Sequence, residues 1–558
     1  MAISDDLKSK LSCYARETGA THLYPDLHDH VRNLADAGLL FVVEEPVNKD
    51  TIMHPLVRWQ YRGSIPEAER RAFLFLNPTD SKGRKYDGAV LVAGLAGSRE
   101  IYRVGFGADL DAIRDRWLKA LATPLAPVVV EHAACHDIVT LHDELDQPGR
   151  GLDSLPVPIS TPGWDNAPYL TAGHYITRDP DTGIQNVGNY RGQIKAPRRI
   201  GMNPSVEIRP GILVHWEKHK ARGERLPCAI VLGCPPAVSY AAVQKMPESL
   251  DEVWVAGALT GTPIEVVRAK TVDLLVPAQA EIVIEGFIET VMREPEAPFG
   301  ESHGYVHLQE YNAYMEVTAI TRRRNPILPS FISQVTPSES SVIRRAAMEP
   351  VLFNHLRSTM GVTGVKRVHM HEPMTSVIAL FIIQFARNTL ETEIWRALYG
   401  AASLHRYAGK WIVAVDEDID PENADAIFWA MCYRCQPQND LKILDKKDPG
   451  HGPRNETNSA GSASVLINAT MRGDFPPIAL PKREFMEEAR ELWNKLGLRP
   501  LQPESPWFGY DLGNWPDWLE EQAKLATQSE YFKTGERIAK QRRSDVEMNA
   551  PISGNPDT

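Results

Sequence analysis

Glu296-Ala297-Pro298-Phe299-Gly300-Glu301-Ser302-His303-Gly304-Tyr305 holds two carboxylates five residues apart in a stretch of small and turn-forming residues. Each carboxylate raises the other's pKa unless a cation lies between them. Pro298 and Gly300 shape the backbone between the acids, so the pair belongs to a built loop and not to a solvated helix face. Such a loop calls for an arginine, a metal or a shared proton. Upstream, Asn186-Val187-Gly188-Asn189-Tyr190-Arg191 offers candidates for the first two.

The chain around these stretches has 558 residues, too many for one hydrophobic core, and two or three domains are expected. Against 61 basic residues stand 72 acidic ones, a net charge of −11, which argues against a broad nucleic-acid surface or a polybasic membrane face. Six cysteines are too few and too scattered for a disulfide framework. Cys432 and Cys435 form a lone C-x-x-C inside a stretch that reads as a buried helix, so packing is their expected role. The start, Met1-Ala-Ile-Ser-Asp-Asp-Leu-Lys, has acids where a signal peptide needs an apolar core. No apolar run approaches the ~20 residues that span a bilayer. A soluble, cytoplasmic protein with no membrane or nucleic-acid partner is the expectation.

Residues 1–125 read as a mixed helix and strand domain, with helices over Leu7–Gly19, Asp26–Ala37 and Asp109–Ala122 and strands at Leu39 and Tyr86. The proline-rich run Leu152–Trp164 marks the approach to a strand-rich domain, 126–325, whose short strands and Gly/Pro turns predict a barrel-like sheet. Ala280–Val291 alternates as a half-buried strand does. The helix Ser249–Leu259 shows Ser249 and Glu252 at capping-box spacing. Residues 326–480 alternate in type: helices at Ser341–Met360, Thr389–Tyr399 and Glu422–Cys435, and strands at Ser376–Ile383 and Lys410–Val415. That pattern predicts an α/β domain. Residues 481–558 hold Lys482–Leu496 and a long charged helix, Asp517–Arg543, with few apolar anchors, which predicts docking on another subunit.

Taken singly, the polar candidates have ordinary readings. Asn186–Arg191 reads as a glycine turn with an exposed arginine, although Arg191 offers a planar five-donor fork suited to carboxylate or phosphate. His215 ends an apolar strand, Gly211-Ile-Leu-Val, and reads as a core histidine. Glu252 reads as a capping acid. His369 and His371 would share one face of a strand, in a structural or surface role. Arg322-Arg-Arg324 reads as a solvated strand end. None of the compact zinc motifs is present.

Together, however, Glu296-x-Pro-Phe-Gly-Glu301-x-His-Gly-Tyr, Asn186-x-x-x-Tyr-Arg191, Leu232-Gly-Cys-Pro-Pro-Ala237 and Ala256-Gly-Ala-Leu259 resemble the UbiD-type decarboxylases, which use prenylated flavin mononucleotide. The resemblance is densest from about Leu152 to Gly304 and runs more loosely to about Pro421. It implies a central split β-barrel of the flavin-reductase type, a mixed N-terminal region, and a C-terminal α/β oligomerisation domain with a long tail helix. It implies that Arg191, Glu296 and Glu301 form a catalytic network. Asn186, His215 and Glu252 would ligate Mn²⁺ or Mg²⁺, with His219 as the fallback ligand, and a potassium ion is a further candidate. Asn186, Val187, Gly188, Asn189, Tyr190, Arg191, Val214, His215, Glu252 and Lys410 would line the cofactor. The expected reaction is reversible, non-oxidative decarboxylation of an aromatic or α,β-unsaturated acid, or of an aryl-CoA ester such as phthaloyl-CoA, through a covalent prenyl-flavin adduct with Glu301 as proton donor.

The chemistry agrees with this. Removing carbon dioxide from an sp² carbon leaves an electron pair that no ordinary side chain accepts, so a cofactor must act as the sink. Amide oxygen, imidazole and carboxylate form a fairly hard metal shell, better suited to manganese or magnesium than to structural zinc. The resemblance further implies a flavin prenyltransferase as cofactor supplier and a homodimer or homohexamer. Two other classes stay open: a catalytically idle flavin-binding subunit, and a metal-dependent hydrolase working without flavin.

Overall fold

Asp26 opens the first well-formed helix. Its carboxylate accepts the Asp29 N–H at 2.8 Å, and the Asp29 carboxylate accepts the Asp26 N–H at 3.3 Å, a reciprocal cap over Leu27–Asp36. The computed structural model describes residues 9–14 and 22–548 except 205, 207, 208, 245, 408, 449–460, 474 and 511, with 550 and 552 beyond them. The helix expected over Leu7–Gly19 falls largely outside those residues; Ser12–Tyr14 is a single 3₁₀ turn.

The first sheet has four strands in the order Leu40–Val43, Ala72–Phe75, Ala89–Val92, Ile327–Ser330. The last runs parallel to Ala89–Val92, with Ile327 opposite Ala89. Both members of that pair are buried at every position, as strands covered on two faces are. The chain therefore leaves this sheet, builds the central one and returns. The expected boundary at 325/326 falls just before the returning strand, which belongs with the N-terminal sheet.

The central sheet is antiparallel and has ten strands. Leu226–Leu232 sits between His174–Arg178 and Ile282–Ile288, with Ile230 opposite Ile284. Its alternation divides two cores: Ala229 and Val231 join one, and Cys228, Ile230 and Leu232 join the other. A bulge falls at Glu285/Gly286, and a Cβ on Gly286 would lie 2.0 Å from the Glu316 carbonyl oxygen, so only glycine fits there. Two local expectations are corrected. The run around His215 is a helix, Gly211–Ala221, and not a strand end. The helix Glu252–Thr260 is capped by Asp251, which accepts the Val253 N–H at 2.8 Å, and not by Ser249. Asp251 is adjacent to the first turn and outcompetes Ser249, which releases Glu252 from capping.

Ser338 caps Glu339–Asn354. Glu339 is buried and accepts the N–H groups of Leu95 and Ala96 at 2.8 and 3.2 Å, tying this helix to the first domain. A five-stranded sheet follows, in the order Val365–Met370, Leu380–Phe385, Trp411–Asp416, Ser462–Ala469, Leu441–Lys447. The strand expected from Ser376 begins only at Leu380, because Met374, Ser376 and Val377 take left-handed φ. The helix expected to Met360 ends at Asn354 and continues as one π turn. The helix Ala424–Tyr433 is buried on one face only, with Phe428, Cys432 and Tyr433 exposed. The expected long tail helix is two, Asp517–Thr527 and Tyr531–Ala539, broken where Ser529 turns left-handed. Among the described residues no helix is long and apolar enough to cross a membrane.

One buried joint binds the first helix, the central sheet and the returning strand. Glu281, with no exposed side-chain surface, lies 3.0 Å from His28 Nε2, accepts the Ile327 N–H at 2.9 Å and faces the Arg323 guanidinium at 3.5 Å. Arg323 also donates to Asp26 at 2.9 Å, so within the expected solvated strand end Arg323 is a buried ion-pair member, while Arg324 is exposed. Removing one member of such a set leaves an uncompensated charge. Glu281→Gln is expected to cost about 3 kcal/mol, read as a lower urea midpoint; an unchanged midpoint would take Glu281 out of the joint.

Candidate functional site

The expected exposed turn is in fact the strand Gln185–Asn189, and Arg191, two residues past it and nearly buried, meets both glutamates of the opening motif with its guanidinium. Nε and Nη2 donate to Glu296 Oε1 and Oε2 at 2.9 and 2.8 Å, a bidentate fork, while Nη1 donates to Glu301 Oε1. The same guanidinium lies 5.3 Å from the centre of the Phe299 ring. Burial alone would lower the Arg191 pKa, but the bonds to Glu296 and the charge of Glu301 reverse this and hold it above its ordinary value. The glutamates differ in access: Glu296 has no exposed side-chain surface, whereas Glu301 is 28% exposed.

The loop that presents the acids is held from several sides. Ala297 sits at φ +83°, a costly conformation for a residue with a side chain, and Asn166 Nδ2 donates to its carbonyl at 3.1 Å. Tyr169 donates to the Pro298 carbonyl at 3.3 Å and packs on Phe299 at 4.5 Å. Asn312 donates to Glu296 Oε2 at 3.4 Å.

A second group gathers around Asn186, at the other end of the same strand. Its Nδ2 donates to Glu252 Oε1 at 2.9 Å, and the Val187 N–H donates to Glu252 Oε2 at 2.7 Å. The Asn186 Oδ1 is thereby turned away, buried and without a donor. The start of the Gly211–Ala221 helix closes on that oxygen: a Cβ on Gly211 would lie 2.2 Å from it. Burial pushes Glu252 up to about 8 against the pull of the Val187 N–H. His215 lies 2.9 Å through Nδ1 from the Thr177 hydroxyl, and Thr177 is the direct cross-strand partner of Asn186. Burial pushes His215 down to about 4, so its imidazole is neutral at pH 7. With Nδ1 donating to Thr177, Nε2 carries a lone pair for a ligand. His219 instead lies 3.3 Å from Glu224.

An orphaned amide oxygen, a neutral imidazole and a buried carboxylate fit a hard divalent cation. The positive end of the Gly211–Ala221 helix beside them fits a phosphate. Of the other expected lining residues, Gly188 is overlain by the Tyr190 side chain, Val187 and Val214 are buried, and Asn189 donates to the Thr171 carbonyl at 3.2 Å. Lys410 stands exposed before the Trp411–Asp416 strand, and among the described residues no hydrogen bond or ion pair joins it to these groups. Sequence reading passed over Thr177, Asn166, Tyr169 and Asn312, which carry no motif of their own. His369 is buried and lies 3.1 Å from Glu349, while His371 contacts Thr375 outside the strand. His22, Asp26 and Asp29 also cluster, but Asp26 serves the helix cap and Arg323, and Asp29 pairs with Arg32.

Residues 128–335 match the 3-octaprenyl-4-hydroxybenzoate carboxy-lyase Rift-related domain, and residues 341–461 match the C-terminal domain of the same family. Among solved structures, the chain is similar to an evolved dimeric form of the UbiD-class enzyme HmfF from Pelotomaculum thermopropionicum in complex with prFMN. That match has 28% identity and a TM-score of 0.70, over 82% of this chain and 97% of that one. The closed form of the Sedimentibacter hydroxybenzoicus vanillic acid decarboxylase matches at 26% identity and TM-score 0.69, over 86% and 100%. The apo Klebsiella pneumoniae 3,4-dihydroxybenzoic acid decarboxylase shares the fold at 24% identity and TM-score 0.69, over 83% and 99%. This protein belongs to the UbiD family and is an enzyme of the carboxy-lyase class.

Proposed function

We propose that the protein is a prenylated-FMN-dependent decarboxylase of an aromatic or α,β-unsaturated carboxylic acid, acting without net oxidation and able to run in reverse. The observation that carries this reading is Arg191 held between a sealed Glu296 and an accessible Glu301. When bound, the cofactor supplies an electron sink for the pair left by the departing carbon dioxide. Asn186, His215 and Glu252 would hold Mn²⁺ or Mg²⁺, which would neutralise the cofactor phosphate at the helix N-terminus. In this reading the ten-stranded sheet is the split barrel that seats the flavin, and Lys410 reaches the cofactor from the C-terminal domain. A flavin prenyltransferase supplies the cofactor. The tail helices, which bury no residue of their own, serve assembly of a homo-oligomer.

The chain's own groups divide the work. Arg191 holds both oxygens of Glu296 and fixes Glu301 through Oε1. Glu301 Oε2 is then free to carry a proton to the carbon that has lost carbon dioxide, and to take a proton back from solvent through its exposed face.

Glu301→Gln is expected to lower carbon dioxide release by at least 10²-fold while the flavin absorbance of the loaded protein is unchanged. Normal turnover would remove Glu301 as the acid. His215→Ala should lose both manganese and flavin on purification, measured by metal analysis and absorbance. Thr177→Val, which removes the hydroxyl facing His215 Nδ1, should weaken manganese binding about 10-fold; an unchanged titration would separate Thr177 from the metal set.

A further inference from the structure

Glu301 opens the tip of a hairpin whose strands, Phe299–Gly300 and Val306–His307, share two residue pairs. Inside the tip the Glu301 N–H donates to the Tyr305 carbonyl and the Gly304 N–H to the Glu301 carbonyl, both at 3.0 Å. Gly304 and Tyr305 are exposed. So short a ribbon is marginal on its own. An acid that must meet one particular carbon needs a firmer mount, because small misplacements of a reacting group are costly. Ser302, the next residue, reaches the C-terminal domain: its hydroxyl lies 3.0 Å from that of Ser376.

The segment that presents Ser376 is strained. Met374, Ser376 and Val377 sit at φ +61°, +57° and +64°. None is glycine, and for a β-branched residue such as Val377 the left-handed region is a rare exception. Strain of that kind persists only where the neighbours over-determine it. Glu372, 3% exposed, accepts from the Ser341 hydroxyl and from Arg345 Nη1, the latter at 3.2 Å. The Thr336 carbonyl accepts the Met374 N–H at 3.1 Å, and the Thr336 hydroxyl accepts the Ser376 N–H at 3.2 Å. Farther along, the Ile378 carbonyl accepts the Gly409 N–H at 2.7 Å. Thr336 lies just past Gln334, which packs on the acid loop: a Cβ on Gly300, the residue before Glu301, would lie 2.7 Å from Gln334 Cγ. One span of chain thus fixes both the strained segment and the acid hairpin, and the two hydroxyls meet where these converge.

We propose that Ser376 is a positioning residue for proton delivery: its hydroxyl, held out by the strained segment, fixes Ser302 and so sets the reach of Glu301. The inference rests on the decarboxylase reading with Glu301 as the acid, and adds that the C-terminal domain takes part in aiming it. Arg191 holds the carboxylate end of Glu301, and Ser376 steadies the backbone one peptide away. A donor fixed at both ends points along one line, whereas a donor fixed only at its tip moves with its loop.

The test uses the full-length, cofactor-loaded protein and two variants, Ser376→Gly and Ser302→Ala. Glycine takes a left-handed φ freely, so Ser376→Gly removes the hydroxyl while holding or raising the Tm. Amide hydrogen exchange, read by mass spectrometry on the peptide that carries Glu301–Tyr305, is expected to be about 10-fold faster in both variants than in the unsubstituted protein. Carbon dioxide release is then followed over a panel of aromatic and α,β-unsaturated acids that includes benzoate, vanillate, 3,4-dihydroxybenzoate and cinnamate. On the acid turned over fastest, each variant should lose about 10-fold in kcat with KM within about twofold. The solvent deuterium isotope effect on kcat should rise in both, which a merely structural defect would not cause. The double variant should be no slower than either single one, because all three lack the same bond. Unchanged exchange at the tip, an unchanged kcat, or losses that multiply in the double variant overturn the positioning role. That result, obtained while the unsubstituted protein still releases carbon dioxide, sinks the role of Ser376 alone; no release from any acid of the panel sinks the decarboxylase reading and the delivery role with it.

Discussion

A single guanidinium answers two carboxylates, and the structure around it is organised to keep it there. Arg191 is nearly buried, and an ion in that position is tolerated only with full hydrogen bonding. Glu296 meets that need with both oxygens, and Glu301 takes the remaining edge. The strained backbone at Ala297, the Asn166 donor to it and the Tyr169–Phe299 stack make sense as the framework that aims the two acids at one cation.

The strand Gln185–Asn189 then works as a ruler. Asn186 stands at one end with Glu252, Thr177 and His215, and Arg191 lies just past the other. Five residues of extended chain span roughly 16 Å. The Asn186 cluster and the Arg191 carboxylate pair are thereby set apart by a rigid element. Because sheet register fixes both ends, a slip of one residue would turn Asn186 to the opposite face and break the second cluster.

Much of this was legible because some signals are local. The helix from Asp26, the strand within Ala280–Val291, which is buried on both faces and not on one, and the paired glutamates lie in short stretches whose chemistry does not depend on distant partners. The helix around His215 was not legible, because Ile212, Leu213 and Val214 are consecutive and all buried, and an apolar run of that kind has no readable period. Asp251 displaced Ser249 by a choice between two caps that differ by two residues. Arg323 looked solvated beside two other arginines, yet Asp26, from the far end of the chain, draws it inside. Thr177 was silent because its role comes only from lying across the sheet from Asn186.

The strand Ile327–Ser330 has a consequence for how the chain matures. It pairs with Ala89–Val92, so the N-terminal sheet lacks its closing edge until the ribosome has delivered the entire central sheet. During synthesis Ala89–Val92 presents an open, fully apolar margin to solvent or to a chaperone. The two units are thus obliged to consolidate together, and a truncated N-terminal fragment would be a sticky intermediate rather than an autonomous module.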